Sequence, residues 1–135
     1  MFDIAFHGDG GAAQIKDIAE RQGIPPRFLE QIFQDLKRAG LVVSKRGPQG
    51  GYHLGEQPGN IHLGTVLEVL EGPILLQPDN SKSKGLGQQV NDALWGELSV
   101  SVTNCFNSIT IRDLCERAEA MRLKKEKHQT QMYVI

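Results

Sequence analysis

The chain has 135 residues, close to the usual size of one domain, with 39% hydrophobic and 23% charged residues. This composition excludes a fibrous or fully disordered chain, and the absence of a long apolar run excludes a transmembrane helix. The net charge of −1 disfavours nucleic-acid binding, because phosphate contacts need an excess of Lys and Arg. The segment 1–7 is too short and too acidic for a signal peptide, so we expect a cytoplasmic protein.

The overall charge conceals a basic segment. Between Arg21 and His53 there are six Lys and Arg residues against two acidic residues, a net charge of +4, so the remainder of the chain carries −5. A basic stretch within an acidic chain is a candidate surface for an anionic partner.

In chain order, a short apolar segment at 2–6 is followed by a glycine-rich turn. Apolar residues spaced by three and four then predict a helix over 14–22, and Gly23 ends it. Proline opens a second helix over 26–39. A small residue at Ala19 and a glycine four residues later are typical of a helix-turn-helix.

The pattern next changes to that of a β-hairpin. The segment 41–46 predicts a strand, the glycine-rich segment 47–51 predicts a tight turn, and 52–54 can return as the second strand. A hairpin directly after a helix-turn-helix, with cations beside its tip, is typical of the wing of a winged helix.

The second half of the chain is predicted to be helical. A helix with apolar residues over 63–70 ends at Gly72, and a longer helix with an apolar residue at every fourth position begins at 88. Thr110 and Asp113 have the spacing of a capping box for a last helix. We therefore expect a mainly α fold with a small β-hairpin wing: a winged helix-turn-helix domain at 1–76, a linker at 77–87, dimerisation helices at 88–127 and a C-terminal tail at 128–135.

These residues resemble the Rrf2 family of bacterial winged-helix transcription regulators. The resemblance includes 15–24, the Arg-Gly-Pro-x-Gly-Gly-Tyr motif at 46–52, 63–73 and the Leu-Trp pair at 94–95. It implies a homodimeric DNA-binding protein that is joined by the long helix. Its branch without a metal cluster, the cysteine-metabolism repressors, is the most similar.

The exposed start of the second helix and the wing predict the DNA contacts. Gln31 can hydrogen-bond adenine, and Glu30 can accept a hydrogen bond from cytosine. Arg27 can bind guanine or phosphate, and Arg46 can bind phosphate or enter the minor groove. The full predicted set is Arg27, Phe28, Glu30, Gln31, Gln34, Lys45, Arg46, Gly47, Gln49, Gly50, Gly51 and Tyr52. The predicted dimer interface is Val90, Leu94, Trp95, Leu98 and Val102.

The chain departs from the family pattern in two places. Family members begin with a complete first helix after a basic segment, so we expect that the first helix is truncated here. Iron–sulfur members carry three cysteines in the linker, whereas 77–92 contains none. We therefore expect no cofactor and no metal, with Cys105 and Cys115 as buried structural thiols.

The C-terminus suggests a protein partner. Tyr133, Val134 and Ile135 form an apolar end after a charged segment, and a terminal carboxylate can be captured by backbone amides. The resemblance implies cysteine synthase as the partner, while a frayed tail or one packed on its own dimer is the alternative.

Functions other than that of a repressor make different demands on the sequence. A Gly-x-Gly-x-x-Ala pattern begins at Gly8, but a dinucleotide site needs a buried strand before it, so we expect no enzyme. An iron–sulfur or thiol redox sensor of the same family, and an adaptor that binds protein rather than DNA, stay open as alternatives.

Overall fold

The computed structural model describes residues 1–8, 10–76, 85–123 and 125. The helices are α1 (Phe2–His7), α2 (Ile15–Gln22), α3 (Pro26–Arg38), α4 (Leu63–Glu71), α5 (Leu86–Asn107) and α6 (Ile111–Ala120). The strands β1 (Val42–Lys45) and β2 (Gly51–Leu54) form an antiparallel hairpin, and a 3-10 turn spans Pro58–Asn60. The predicted fold class, a mainly α winged helix-turn-helix with a small hairpin and a long helix, is confirmed.

Helix α3 supplies the centre of the core. Its residues Leu29, Phe33 and Leu36 are buried, and they recur at the three- and four-residue spacing that puts them on one side of a helix. Other elements add further buried apolar residues around them: Ile4, Ala13, Ile18, Ala19, Leu41, Val42, Ile61, Val66 and Ile111. The opposite face of α3 is therefore left outside the core.

The turn between α2 and α3 has the geometry that the sequence predicts. Gly23 has a φ of 64°, in the left-handed region that glycine adopts without strain. The Ile24 N–H donates to the Ala19 carbonyl at 3.1 Å, which closes the end of α2. Pro26 then begins α3, where a missing N–H costs nothing.

The hairpin is joined to the body of the protein through Tyr52. Its N–H donates to the Ala13 carbonyl at 2.7 Å, and the Ala13 N–H donates to the Tyr52 carbonyl at 2.9 Å. The Tyr52 ring lies 4.6 Å from the ring of Phe33, between centroids. The wing is thus attached to both the segment before α2 and the core face of α3.

Two glycines shape the wing, Gly51 at its contact with Ala13 and Gly50 within its turn. Gly51 has a φ of 147°, and a Cβ there would lie 2.5 Å from the Ala13 carbonyl oxygen. Gly50 is buried, a Cβ there would overlap the Lys45 carbonyl oxygen, and its N–H donates to the Gly47 carbonyl at 2.8 Å. The Gly-Gly pair of the motif therefore builds the wing.

A buried carboxylate holds α1 against α2. The Asp3 side chain accepts from Arg21 Nε at 3.0 Å and Nη2 at 2.6 Å, and from Gln22 Nε2 at 3.0 Å. Burial alone would raise the pKa of Asp3, but the hydrogen bonds from Arg21 and Gln22 and the charge of Arg21 outweigh it and lower this pKa. Because Arg21 and Gln22 directly precede Gly23, this ion pair also anchors the turn into α3.

The last two helices pack on different parts of the domain. Helix α5 begins at Leu86, two residues before the predicted start, and packs on α4. Helix α6 begins with the predicted capping box: Asp113 N–H donates to Thr110 Oγ1 at 3.2 Å, and Thr110 N–H donates to the Asp113 carboxylate at 2.8 Å. Helix α6 packs on α1 and on the 3-10 turn. Although it lies within the range 88–127 that is predicted to form the dimerisation helices, it therefore also packs on the domain that contains α1. Among the described residues, no helix is long and apolar enough to cross a membrane.

We expect Asp3→Asn to lower the free energy of unfolding by about 3 kcal/mol at pH 7, because it removes the charge opposite Arg21 in a buried pair. Since the pKa of Asp3 is lowered by folding, its stabilising effect is present at neutral pH and is lost as the pH falls below its ordinary value near 3.8. Urea denaturation from pH 7 to pH 3 would measure the difference. As control, Asp35→Asn removes an exposed pair with Arg38 and should change stability by about 0–1 kcal/mol.

We expect Gly51→Ala to lower the free energy of unfolding by about 1–3 kcal/mol, because alanine is strained at this φ and its methyl group meets the Ala13 carbonyl. Thermal unfolding measures the loss. Gly87→Ala is the matched control, since its Cβ meets nothing within 4 Å and Gly87 lies in a helix, and it should be neutral or stabilising by up to about 1 kcal/mol. Equal effects of the two substitutions would contradict this role for Gly51.

Candidate nucleic-acid interface

The outer face of α3 presents polar and charged side chains to solvent. Arg27, Glu30, Gln31 and Gln34 are all exposed, as the sequence predicts from the spacing of the buried residues. Phe28 joins them with 64% of its surface exposed. These side chains lie in the first two and a half turns of the helix, the part that enters the major groove in a helix-turn-helix protein.

The wing adds exposed groups beside its tip. Lys45, Arg46, Gly47 and Gln49 are exposed, whereas Gly50 is buried and Tyr52 is half-buried against Phe33. Of the predicted wing contacts, the first four project from the hairpin, and Gly50, Gly51 and Tyr52 shape and anchor it.

The cations of this surface differ in their availability. Arg21 is engaged by Asp3, and Arg38 lies 3.4 Å from the Asp35 carboxylate. In the described ranges, the side chains of Arg27, Lys45 and Arg46 make no hydrogen bond or ion pair. Of the six cations in the basic segment, Arg21 and Arg38 therefore lie beside carboxylates, whereas four extend into solvent: Arg27, Lys37, Lys45 and Arg46.

The predicted dimer residues of α5 fall into two groups. Val90, Leu94 and Leu98 are exposed, while Trp95 and Val102 are half-buried. Sequence reasoning missed Leu86, which is 84% exposed and continues the every-fourth-residue pattern toward the N-terminus. Along this series the exposed fraction falls from 84% at Leu86 to 71%, 51% and 40% at the next three positions.

A polar cluster fixes the other side of α5. Ser99, the buried residue of this helix, accepts from the Leu76 N–H at 2.8 Å and donates to the Trp95 carbonyl at 2.8 Å. The segment 74–76 and this side of α5 enclose a groove of about 670 Å³, which Trp95 also lines. Trp95 is therefore directed toward its own chain's segment 74–76.

The residues do not fit an iron–sulfur cluster. The sequence has no cysteine between 77 and 104, and in the described ranges no three His, Cys, Asp or Glu side chains are grouped to hold a metal. Cys105 is exposed and Cys115 is half-buried, so the expectation of a buried thiol is wrong for Cys105. Burial raises the pKa of the Cys115 thiol, with the charge of Glu119 adding to this effect.

The predicted partner-binding tail, Tyr133, Val134 and Ile135, lies outside the described residues, as do 77–84 of the linker. Both assignments stay predictions.

Comparison with known proteins identifies the family. The family model Rrf2, described as an iron-dependent transcriptional regulator, matches residues 1–117. The HTH-type transcriptional regulator IscR of Klebsiella pneumoniae is 36% identical over 135 residues, covering 96% of this chain and 80% of the relative.

Solved structures agree. CymR of B. subtilis, described as its global cysteine regulator, has a TM-score of 0.73 and 32% identity, covering 86% of this chain and 87% of the other. IscR of T. potens has a TM-score of 0.75 and 38% identity, covering 93% and 84%. The resemblance that the wing motif indicated is confirmed, and the chain belongs to the Rrf2 family of DNA-binding transcriptional regulators.

Proposed function

We propose that this protein is a homodimeric repressor, acting in the cytoplasm, which reads operator DNA with the helix 26–39 and the wing 46–52. The proposal rests on one observation: two exposed surfaces, on α3 and on the wing, are held together in one domain. The outer face of α3 and the wing tip are joined through Tyr52, and both carry cations that extend into solvent. Such a surface can place a helix in the major groove and a hairpin on the adjacent backbone or minor groove.

Each exposed side chain has a chemical counterpart on DNA. Gln31 can make two hydrogen bonds to adenine, and Glu30 can accept from the amino group of cytosine. Arg27 can pair with guanine or with phosphate. Lys45 and Arg46 supply charge to the backbone, and the positively charged end of the α3 dipole favours a nearby phosphate.

Dimerisation is proposed through the N-terminal half of α5. Leu86, Val90 and Leu94 are exposed apolar residues on successive turns of one long helix. A helix face of this kind is stabilised by burial against a second copy, since a contiguous apolar surface marks an interaction site. Two copies would present two reading helices, as a palindromic operator requires.

Among the family's branches, the donor set favours a regulator without an iron–sulfur cluster, as in our prediction of a cysteine-metabolism repressor. The similarity to CymR supports this branch, and the relatives named IscR keep the iron-dependent branch as the alternative. Cysteine synthase stays a predicted partner on the residues Tyr133, Val134 and Ile135 alone.

We expect Arg46→Ala to weaken DNA binding and to reduce its salt dependence. Each phosphate contact contributes about 0.9 to the slope of log K against log salt, so a dimer that loses two should lose about 2 from the slope. The measurement is fluorescence anisotropy between about 50 and 200 mM salt, on a duplex that the wild-type protein selects from a random-sequence pool.

The matched control for this experiment is Arg117→Ala, an exposed arginine on α6, which should keep the wild-type slope. If the wild-type full chain enriches no duplex, the DNA-reading proposal is wrong and the adaptor alternative is favoured. An unchanged slope for Arg46→Ala would instead remove Arg46 alone from the interface.

We expect Val90→Glu to raise the dimer Kd by about 100-fold, or about 3 kcal/mol, because it buries unpaired charge at an apolar interface. Val90 is 71% exposed in the single chain, so the fold of each copy should be retained. Sedimentation velocity over a concentration series measures the Kd. Gln88→Glu adds the same charge about 160° around the helix and should remain dimeric; equal dissociation of both variants would contradict the assigned face.

A further inference from the structure

Phe28 is the large apolar residue of α3 that the core does not use. Its helix neighbours Leu29, Phe33 and Leu36 are between 1% and 4% exposed, whereas Phe28 is 64% exposed. It is the third residue of the helix, and Arg27 and Glu30 beside it are both exposed. The fold therefore holds an aromatic ring in solvent at the end of α3 that is proposed to enter the major groove.

Helical spacing places Phe28 next to Gln31. Residues three apart lie on adjacent positions of a helix surface, so the ring and the amide face the same region. An A·T pair presents two features together in the major groove: the adenine N6 and N7 groups, which suit Gln31, and the C5-methyl group of thymine, which has no polar partner and suits an apolar side chain.

We propose that Phe28 is a specificity-determining residue that contacts a thymine methyl group in each half-site, at or next to the base pair contacted by Gln31. This inference rests on the proposed DNA-reading function. Charge complementarity supports DNA as the occupant of this surface, since Arg27, Lys45 and Arg46 are exposed around it. Contact with the methyl group would remove both apolar surfaces from water and distinguish thymine from cytosine and from uracil.

The experiment is a double-mutant cycle that combines removal of the Phe28 side chain with removal of a thymine methyl group. The wild-type full chain first selects a duplex from a random-sequence pool, and each thymine of a half-site is then replaced by deoxyuridine, symmetrically in both half-sites. We expect one position at which loss of the methyl weakens binding by about fourfold per half-site, or roughly fifteenfold for the dimer. Phe28→Ala should weaken binding to the thymine duplex by a similar factor and show no further loss on the uracil duplex.

Met121→Ala is the matched control, because Met121 is also a large apolar residue, 71% exposed, at the end of α6. It should keep the full preference for thymine over uracil. Thermal unfolding should give the same midpoint for Phe28→Ala as for the wild-type protein, since most of the ring is in solvent.

Three results would overturn the inference. If Phe28→Ala retains the thymine preference, another residue contacts the methyl group. If no thymine of the selected duplex is sensitive to loss of its methyl, Phe28 does not read this group, although the DNA-reading function stands. If the wild-type chain selects no duplex, the proposed function itself fails and the inference fails with it.

Discussion

The position of Tyr52 is the constraint on which the proposed DNA-contacting surface depends. Its backbone exchanges two hydrogen bonds with Ala13, and its ring packs against Phe33. Ala13 leads into α2 and Phe33 belongs to α3, so one residue of β2 joins the wing to both helices of the helix-turn-helix. Because a close-packed interior deforms little, this joint fixes the distance between the wing tip and the outer face of α3, which two contacts on one DNA duplex require.

The cations of the basic segment have two roles, one in the interior and one at the surface. The net charge of −1 disfavours nucleic-acid binding only if charges are spread evenly, and they are not. Arg21 belongs to the basic segment by position, yet Asp3 engages it in the interior, where it stabilises the contact between α1 and α2. Arg27, Lys45 and Arg46 instead extend into solvent on the surface proposed to contact DNA. A short-range field from a few such cations can attract phosphate whatever the total charge, since screening limits distant charges.

Features set by close neighbours in the sequence could be predicted, and features set by long-range packing could not. The Gly23 turn, the hairpin and the Thr110 capping box each follow from residues a few positions apart. The Asp3–Arg21 pair and the Ala13–Tyr52 bridge join separate elements, and no local pattern marks them. The motif 46–52 is likewise a local pattern, which marks the wing as one unit. The contacts of Gly51 and Tyr52 with Ala13, and those of Gly50 within the turn, separate these three wing-building residues from the four that project from the hairpin: Lys45, Arg46, Gly47 and Gln49.

The apolar pattern of α5 illustrates how one periodicity can serve two contacts. An α-helix turns about 100° per residue, so positions four apart advance by about 40° at each step and the series winds around the helix. This explains why exposure falls steadily from Leu86 to Leu98 and why Val102 is half-buried. The C-terminal end of α5 packs on α4, where His62 Nδ1 lies 2.8 Å from the Asn107 carbonyl. In the N-terminal half, Leu86, Val90 and Leu94 are left in solvent. The same series therefore begins on a surface suited to a second copy and ends against its own chain, which couples the proposed dimer contact to the body that contains α3.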